Sequence, residues 1–74
     1  MQVAFTARER QDILDFALCY GLRGWKKLAR RMMNGSYPAI LGWDKAILAL
    51  KDKLGPVLDA YQFTKEERAA FAPA

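Results

Sequence analysis

The chain has 74 residues and a mass of 8.4 kDa, which limits it to one domain with a marginally sufficient core. Apolar residues make up 53% and aromatics 12%, too rich for a disordered tail; histidine is absent, which removes the commonest general base and metal ligand. A single cysteine excludes an internal disulfide, and a net charge of +4 with a pI near 9.5 admits an acidic partner without naming it.

The opening Met1-Gln2-Val3-Ala4-Phe5 lacks the basic start and apolar run of a signal peptide. Thr6-Ala7-Arg8-Glu9 then reads as a capping box, a Thr followed three residues later by Glu, and predicts a helix from Ala7. Ile13, Leu14, Phe16, Ala17, Leu18 and Tyr20 fall on one broad apolar face at helical spacing, with Asp12, Asp15 and Cys19 on the other. Gly21 is the natural stop. With no nucleophile nearby, Asp12 and Asp15 read as a solvated face and not as an acid–base pair. Cys19 reads as a half-buried residue at the edge of the core.

Trp25, Leu28, Ala29 and Met32 recur at i, i+3, i+4 and i+7, the apolar stripe of a second helix. Arg23, Lys26, Lys27, Arg30 and Arg31 gather on the opposite arc, five cations with no acid among them. Their mutual repulsion favours an anionic partner; the plainer reading is a solvated arc neutralised in part by Asp12 and Asp15. The charge is uneven along the chain. Residues 1–35 carry seven Lys/Arg against three Asp/Glu, and residues 36–74 carry five against five. Arg23–Met33 is amphipathic and basic, but Trp25 stands at the spacing the core needs, which argues against a membrane-surface helix.

Asn34-Gly35-Ser36 is a turn, with Ser36 as N-cap and Pro38 in the first turn of an elongated third helix from about Tyr37 to Leu54. Ile40, Trp43, Ile47, Leu50 and Leu54 form its predicted inner seam, and Tyr37, Leu41 and Leu48 a second ridge. Pro38, Gly42, Lys45 and Ala49 then make a smooth, nearly uncharged outer face. The run Ala46-Ile47-Leu48-Ala49-Leu50 is too short to span a bilayer. Gly55-Pro56 ends the helix and starts a short one bearing Val57, Leu58 and Tyr61. Phe63 precedes a second capping box, Thr64-Lys65-Glu66-Glu67, and a last helix through Phe71.

Phe5, Trp25 and Trp43 stand 20 and 18 residues apart, each at a comparable place in a helical segment, and are expected to share one ring-filled centre. These residues, in this order, resemble the Myb/SANT family of homeodomain-like three-helix modules. The resemblance runs through Phe5-Thr6, Glu9, Ile13-Leu14, Ala17, Tyr20-Gly21, Trp25, Leu28-Ala29, Met32, Ala39-Ile40 and Trp43. It implies an all-α, single-domain chain over residues 1–74, with a three-helix core at 5–54 and a short helical C-terminal extension at 55–74. It also implies a role in transcription regulation, the aromatics being structural.

In DNA-binding members of that family the third helix enters the major groove. The matching stretch here, residues 36–45, holds no Arg, Asn or Gln, the side chains that make bidentate contacts to bases. SANT modules, whose third helix serves protein contacts, are the better likeness. The expected function is therefore a non-catalytic module that binds a protein of the transcription or nucleic-acid machinery, RNA polymerase being one such partner. The site residues are Arg23, Lys26, Lys27, Arg30, Arg31, Tyr37, Pro38, Gly42 and Lys45. The alternative is DNA binding by phosphate contacts from the basic second helix, with a salt slope near about −4. No enzyme activity, cofactor, metal, membrane or small-molecule substrate is expected, and the reducing cytoplasm, or the nucleus in a eukaryote, is the expected location.

Overall fold

In the computed structural model, which describes residues 3–71, Thr6 opens the first helix. Its Oγ1 accepts the Glu9 N–H at 3.1 Å while its own N–H donates to Glu9 Oε1 at 2.8 Å, so two backbone donors with no helical partner are satisfied reciprocally. Helix α1 runs Ala7–Tyr20 and stops at Gly21, whose φ of 93° suits glycine alone among the twenty residues. Met1 and Gln2, the start of the opening pentapeptide, lie outside the described residues.

Helix α2 spans Trp25–Met33. It closes in a Schellman arrangement: Ser36 N–H donates to Arg31 O at 2.8 Å and Gly35 N–H to Met32 O at 3.1 Å, with Gly35 at φ 82°. Ser36 therefore finishes the second helix and does not cap the third.

The third helix begins later than its sequence suggests. Residues 37–41 are irregular and reach Leu41 in an extended conformation, and α3 is Gly42–Ala49. Pro38 disfavours helical geometry at Tyr37. Further on, the Asp44 carboxylate accepts the N–H groups of Ile40 and Leu41 at 3.3 and 3.2 Å and fixes the true N-terminus. At the far end, Leu50 breaks the predicted run at φ −93°, ψ 8°, after which α4 occupies Lys51–Leu54. A 3₁₀ turn follows at Gly55–Ala60 with Pro56 in its opening turn. Thr64 and Glu67 repeat the capping box ahead of α5, Lys65–Arg68, and a 3₁₀ turn at Ala69–Phe71 ends the described chain. The described residues are all helix and connecting loop, without a strand.

α3 packs on both α1 and α2, and the Gly55–Ala60 turn packs on α2. Ile13, Phe16 and Ala17 from α1 meet Trp25, Ala29 and Met32 from α2, with Ile47 and Leu54 entering from α3 and α4. Leu58 and Tyr61 are buried in the same cluster, so the residues after Gly55 help to build the core. Tyr61 sits at the middle of the rings. Its centroid is 5.4 Å from Phe5, 5.9 Å from Trp25 and 5.5 Å from Phe63, each near-perpendicular, and Phe63 leads on to Phe71 at 5.5 Å.

Phe5 and Trp25 thus join the ring cluster as expected, but Trp43 does not: it is 39% exposed, against 1% for Trp25. The predicted inner seam holds at Ile47, Leu50 and Leu54, which pack in or on the core, and fails at its start. Ile40 is 68% exposed and Trp43 faces outward, while Asp44 and Ile47 point in. Asp44 takes the inward place because its carboxylate has three hydrogen-bond donors waiting for it there.

Candidate functional site

Asp44 is 2% exposed. Besides the two backbone donors of the helix start, its Oδ1 accepts the Tyr20 hydroxyl at 2.7 Å. The bond to Asp44, followed by burial, raises the Tyr20 phenol above its ordinary range and keeps it a donor. Tyr20 Oη in turn lies 3.4 Å from Trp43 Nε1, so the indole N–H points back along a chain of Trp43, Tyr20 and Asp44. Tyr20 is itself fixed by its ring, 4.8 Å from Phe16. The outward tryptophan is thus linked through Tyr20 to a buried carboxylate.

Trp43, Gly42 and Ala46 form one wall of a groove of about 490 Å³, facing Arg8, Asp12, Asp15, Leu18 and Cys19 of α1. Gly42 is open: among the described residues, apart from its chain neighbours and its own helix backbone, no atom lies within 4 Å of where a Cβ would stand. Leu41 and Leu48, seven residues apart and so on one helical face, are both exposed, as are Tyr37, Pro38, Lys45 and Ala49. The residues expected to form the smooth face, Pro38, Gly42, Lys45 and Ala49, are all exposed, although Pro38 belongs to the irregular segment before α3. Cys19 is exposed on the groove wall and not half-buried as its place in the sequence suggests.

The five cations of the second arc are placed on or beside α2. Arg23 is exposed in the turn before it; Lys27, Arg30 and Arg31 are exposed along it, and Lys26 is half-buried. Asp12 and Asp15 do not neutralise them. Asp12 pairs with Arg8 at 3.3 Å, and Asp15 accepts from Gln11 at 2.8 Å, both within α1. The acid that reaches the arc is Asp59 on the Gly55–Ala60 turn: Arg30 Nη2 donates to its Oδ1 at 2.9 Å and Lys26 Nζ to its backbone carbonyl at 3.0 Å. Arg30 is the one cation of the five in an ion pair among the described residues, and the Arg31 guanidinium lies 5.6 Å from the Tyr37 ring centre.

Compared with models of protein families, with curated proteins and with solved structures, the chain matches none of them. Among the described residues there is no group of three or more Cys, Asp or Glu placed to hold a metal, and no helix long and apolar enough to cross a membrane.

Tyr20, Trp43, Asp44 and Asp59 are not among the site residues expected from the sequence, which assigns Tyr20 and Trp43 to the core. Asp44 has a local signal, an acid two residues inside a helix that opens with glycine, where its carboxylate can return to the preceding N–H groups. Asp59 has none, because its meeting with Lys26 and Arg30 depends on how the Gly55–Ala60 turn packs.

Proposed function

We propose that this chain is a small, non-catalytic regulatory module that binds a protein of the transcription or nucleic-acid machinery, RNA polymerase being one such partner. The observation that carries the reading is the outward Trp43, held by Tyr20 and beside the open Gly42. Tryptophan concentrates binding energy at interfaces, and an indole already fixed in orientation loses little freedom on docking. Gly42 and Ala46 let a partner's backbone come close, while exposed Leu41 and Leu48 extend the apolar contact.

The test is binding to purified RNA polymerase, wild type beside Gly42→Arg and Trp43→Ala. Because nothing crowds Gly42, the arginine variant keeps the fold and obstructs the face. The reading predicts at least a tenfold loss in both, about 1.4 kcal/mol each. Equal binding by the folded variants refutes the role of this face, and no binding by the wild type removes RNA polymerase as the partner.

A second reading has its own support. Arg23, Lys27 and Arg31 have no carboxylate partner among the described residues, which suits phosphate contacts to nucleic acid from the α2 arc. Loss of duplex binding in Arg30→Ala/Arg31→Ala, with a salt slope near about −4 in the wild type, is its signature.

A further inference from the structure

We infer that Lys26 and Arg30 form a phosphodiester-binding pair, and that Asp59 occupies it as an internal mimic in the free protein. The inference rests on the phosphate reading of the α2 arc. Lys26 and Arg30 are four residues apart, one turn and about 6 Å along the helix, so their head groups project from the same side. Both converge on a single residue. Asp59 offers Oδ1 to Arg30 at 2.9 Å and its carbonyl oxygen to Lys26 at 3.0 Å. The singly charged Asp59 carboxylate and the neutral carbonyl of the same residue give Arg30 and Lys26 an oxygen acceptor each, the places that the non-bridging oxygens of a phosphodiester would take.

The two halves of the mimic differ in how firmly they are held. The carbonyl belongs to the Gly55–Ala60 turn packed on α2 and stays where the fold puts it. The carboxylate is on an exposed side chain, 86% open to solvent, and can rotate away at little cost. A phosphate arriving at Arg30 thus displaces a carboxylate, whereas one arriving at Lys27 or Arg31 meets no carboxylate partner among the described residues. Asp59 removes one cation from the arc until a phosphate competes successfully for it, and so sets the threshold of binding.

Nucleic acid suits the arc better than an acidic protein does. Lys26, Lys27, Arg30 and Arg31 are spread over more than one helical turn with no acid between them, and a strand offers a phosphate every 3.4 Å or so of axis.

The experiment is a salt titration, over about 50–200 mM, of binding to a random-sequence DNA duplex by fluorescence anisotropy. It compares wild type, Asp59→Asn, Asp15→Asn and Arg30→Ala/Arg31→Ala. Asp15→Asn makes the same change in net charge on α1, where Asp15 is in no ion pair among the described residues. Exposed ion pairs are weak, so Asp59→Asn is expected to tighten binding about twofold to fivefold and to steepen the log–log salt slope by about 1. Asp15→Asn is expected to leave the slope unchanged. Wild-type binding that the double variant abolishes, with Asp59→Asn no tighter than Asp15→Asn, overturns the inference alone. No binding by wild type or Asp59→Asn at the lowest salt overturns the phosphate reading with it. Equal tightening toward poly-glutamate overturns the assignment to phosphate.

Discussion

The guanidinium of Arg10 on α1 closes on the Glu67 carboxylate of α5 with two parallel bonds, Nη2 to Oε1 at 2.6 Å and Nε to Oε2 at 3.0 Å. The same Nη2 donates to the Gln62 carbonyl at 3.0 Å, and the guanidinium carbon lies 4.9 Å from the centre of the Tyr61 ring. Glu67 meanwhile accepts the Thr64 N–H at 2.8 Å as part of its own capping box. Glu9 has the same double duty at the other end, capping α1 and receiving Lys53 Nζ at 2.6 Å. Each capping-box glutamate is thus also a tie between segments distant in the chain, and the C-terminal residues are fastened to α1 by charge and to Phe5 and Trp25 by rings.

These ties predict an acid-sensitive fold. The bond from Arg10 holds the Glu67 carboxyl below its ordinary value, and the bond from Lys53 does the same for Glu9. A carboxyl depressed in the folded state contributes stability that is complete above its unfolded pKa and is lost as pH falls through the folded one. Thermal unfolding followed by circular dichroism should give a midpoint level above about pH 6 and falling below about pH 5. Glu67→Gln should melt lower than wild type at pH 7 and fall less steeply in acid. Parallel curves for the two proteins would show that this pair is not responsible.

Tyr61 predicts a stabilising substitution. Its hydroxyl is buried without a hydrogen-bond partner among the described residues, and desolvation pushes the phenol up to about 12. The ring makes the contacts with Phe5, Trp25 and Phe63, which phenylalanine would keep. Removing the unpaired oxygen relieves part of a desolvation cost of about 1–3 kcal/mol. Tyr61→Phe should therefore raise stability in urea by about 0.5–2 kcal/mol, and a loss of stability would contradict the geometry.

Asp44 predicts the opposite. Asp44→Ala leaves the Tyr20 hydroxyl and the Ile40 and Leu41 N–H groups without their acceptor, at a cost of about 2–4 kcal/mol. Tyr20→Phe should cost about 1 kcal/mol, and the double variant less than the sum, since both remove the same bond. Strict additivity in urea unfolding would dissolve the proposed link between them.

Local signals carried well from sequence to structure where the chemistry is local. Both Thr-x-x-Glu boxes form, Gly21 ends α1, and the stripe of Trp25, Ala29 and Met32 is buried. The third helix was legible as a helix but not in its bounds or the facing of its start. Ile47, Leu50 and Leu54 keep the predicted inner seam, but at its start the wheel admits either Trp43 or Asp44 as the inward residue. What decides between the two is Asp44 finding Tyr20, a residue 24 positions earlier. The centre of the rings was misplaced for a related reason. Tyr61 and Phe63 lie in a short turn-rich segment whose packing no periodicity reveals, and they take the place beside Phe5 and Trp25 that spacing alone gives to Trp43. The ion pairs of the C-terminal third, Arg10 with Glu67 and Arg30 with Asp59, join residues 57 and 29 positions apart and leave no trace in the sequence.

Trp43 stands outside the core while Trp25 lies within it. Acrylamide quenching of tryptophan fluorescence tests this most directly, in wild type and in Trp43→Phe. The wild type should show two components, one readily quenched, and Trp43→Phe should lose that component and keep a blue-shifted, protected emission from Trp25. Equal protection of both tryptophans in the wild type, or disappearance of the protected component in a folded Trp43→Phe, would contradict the account.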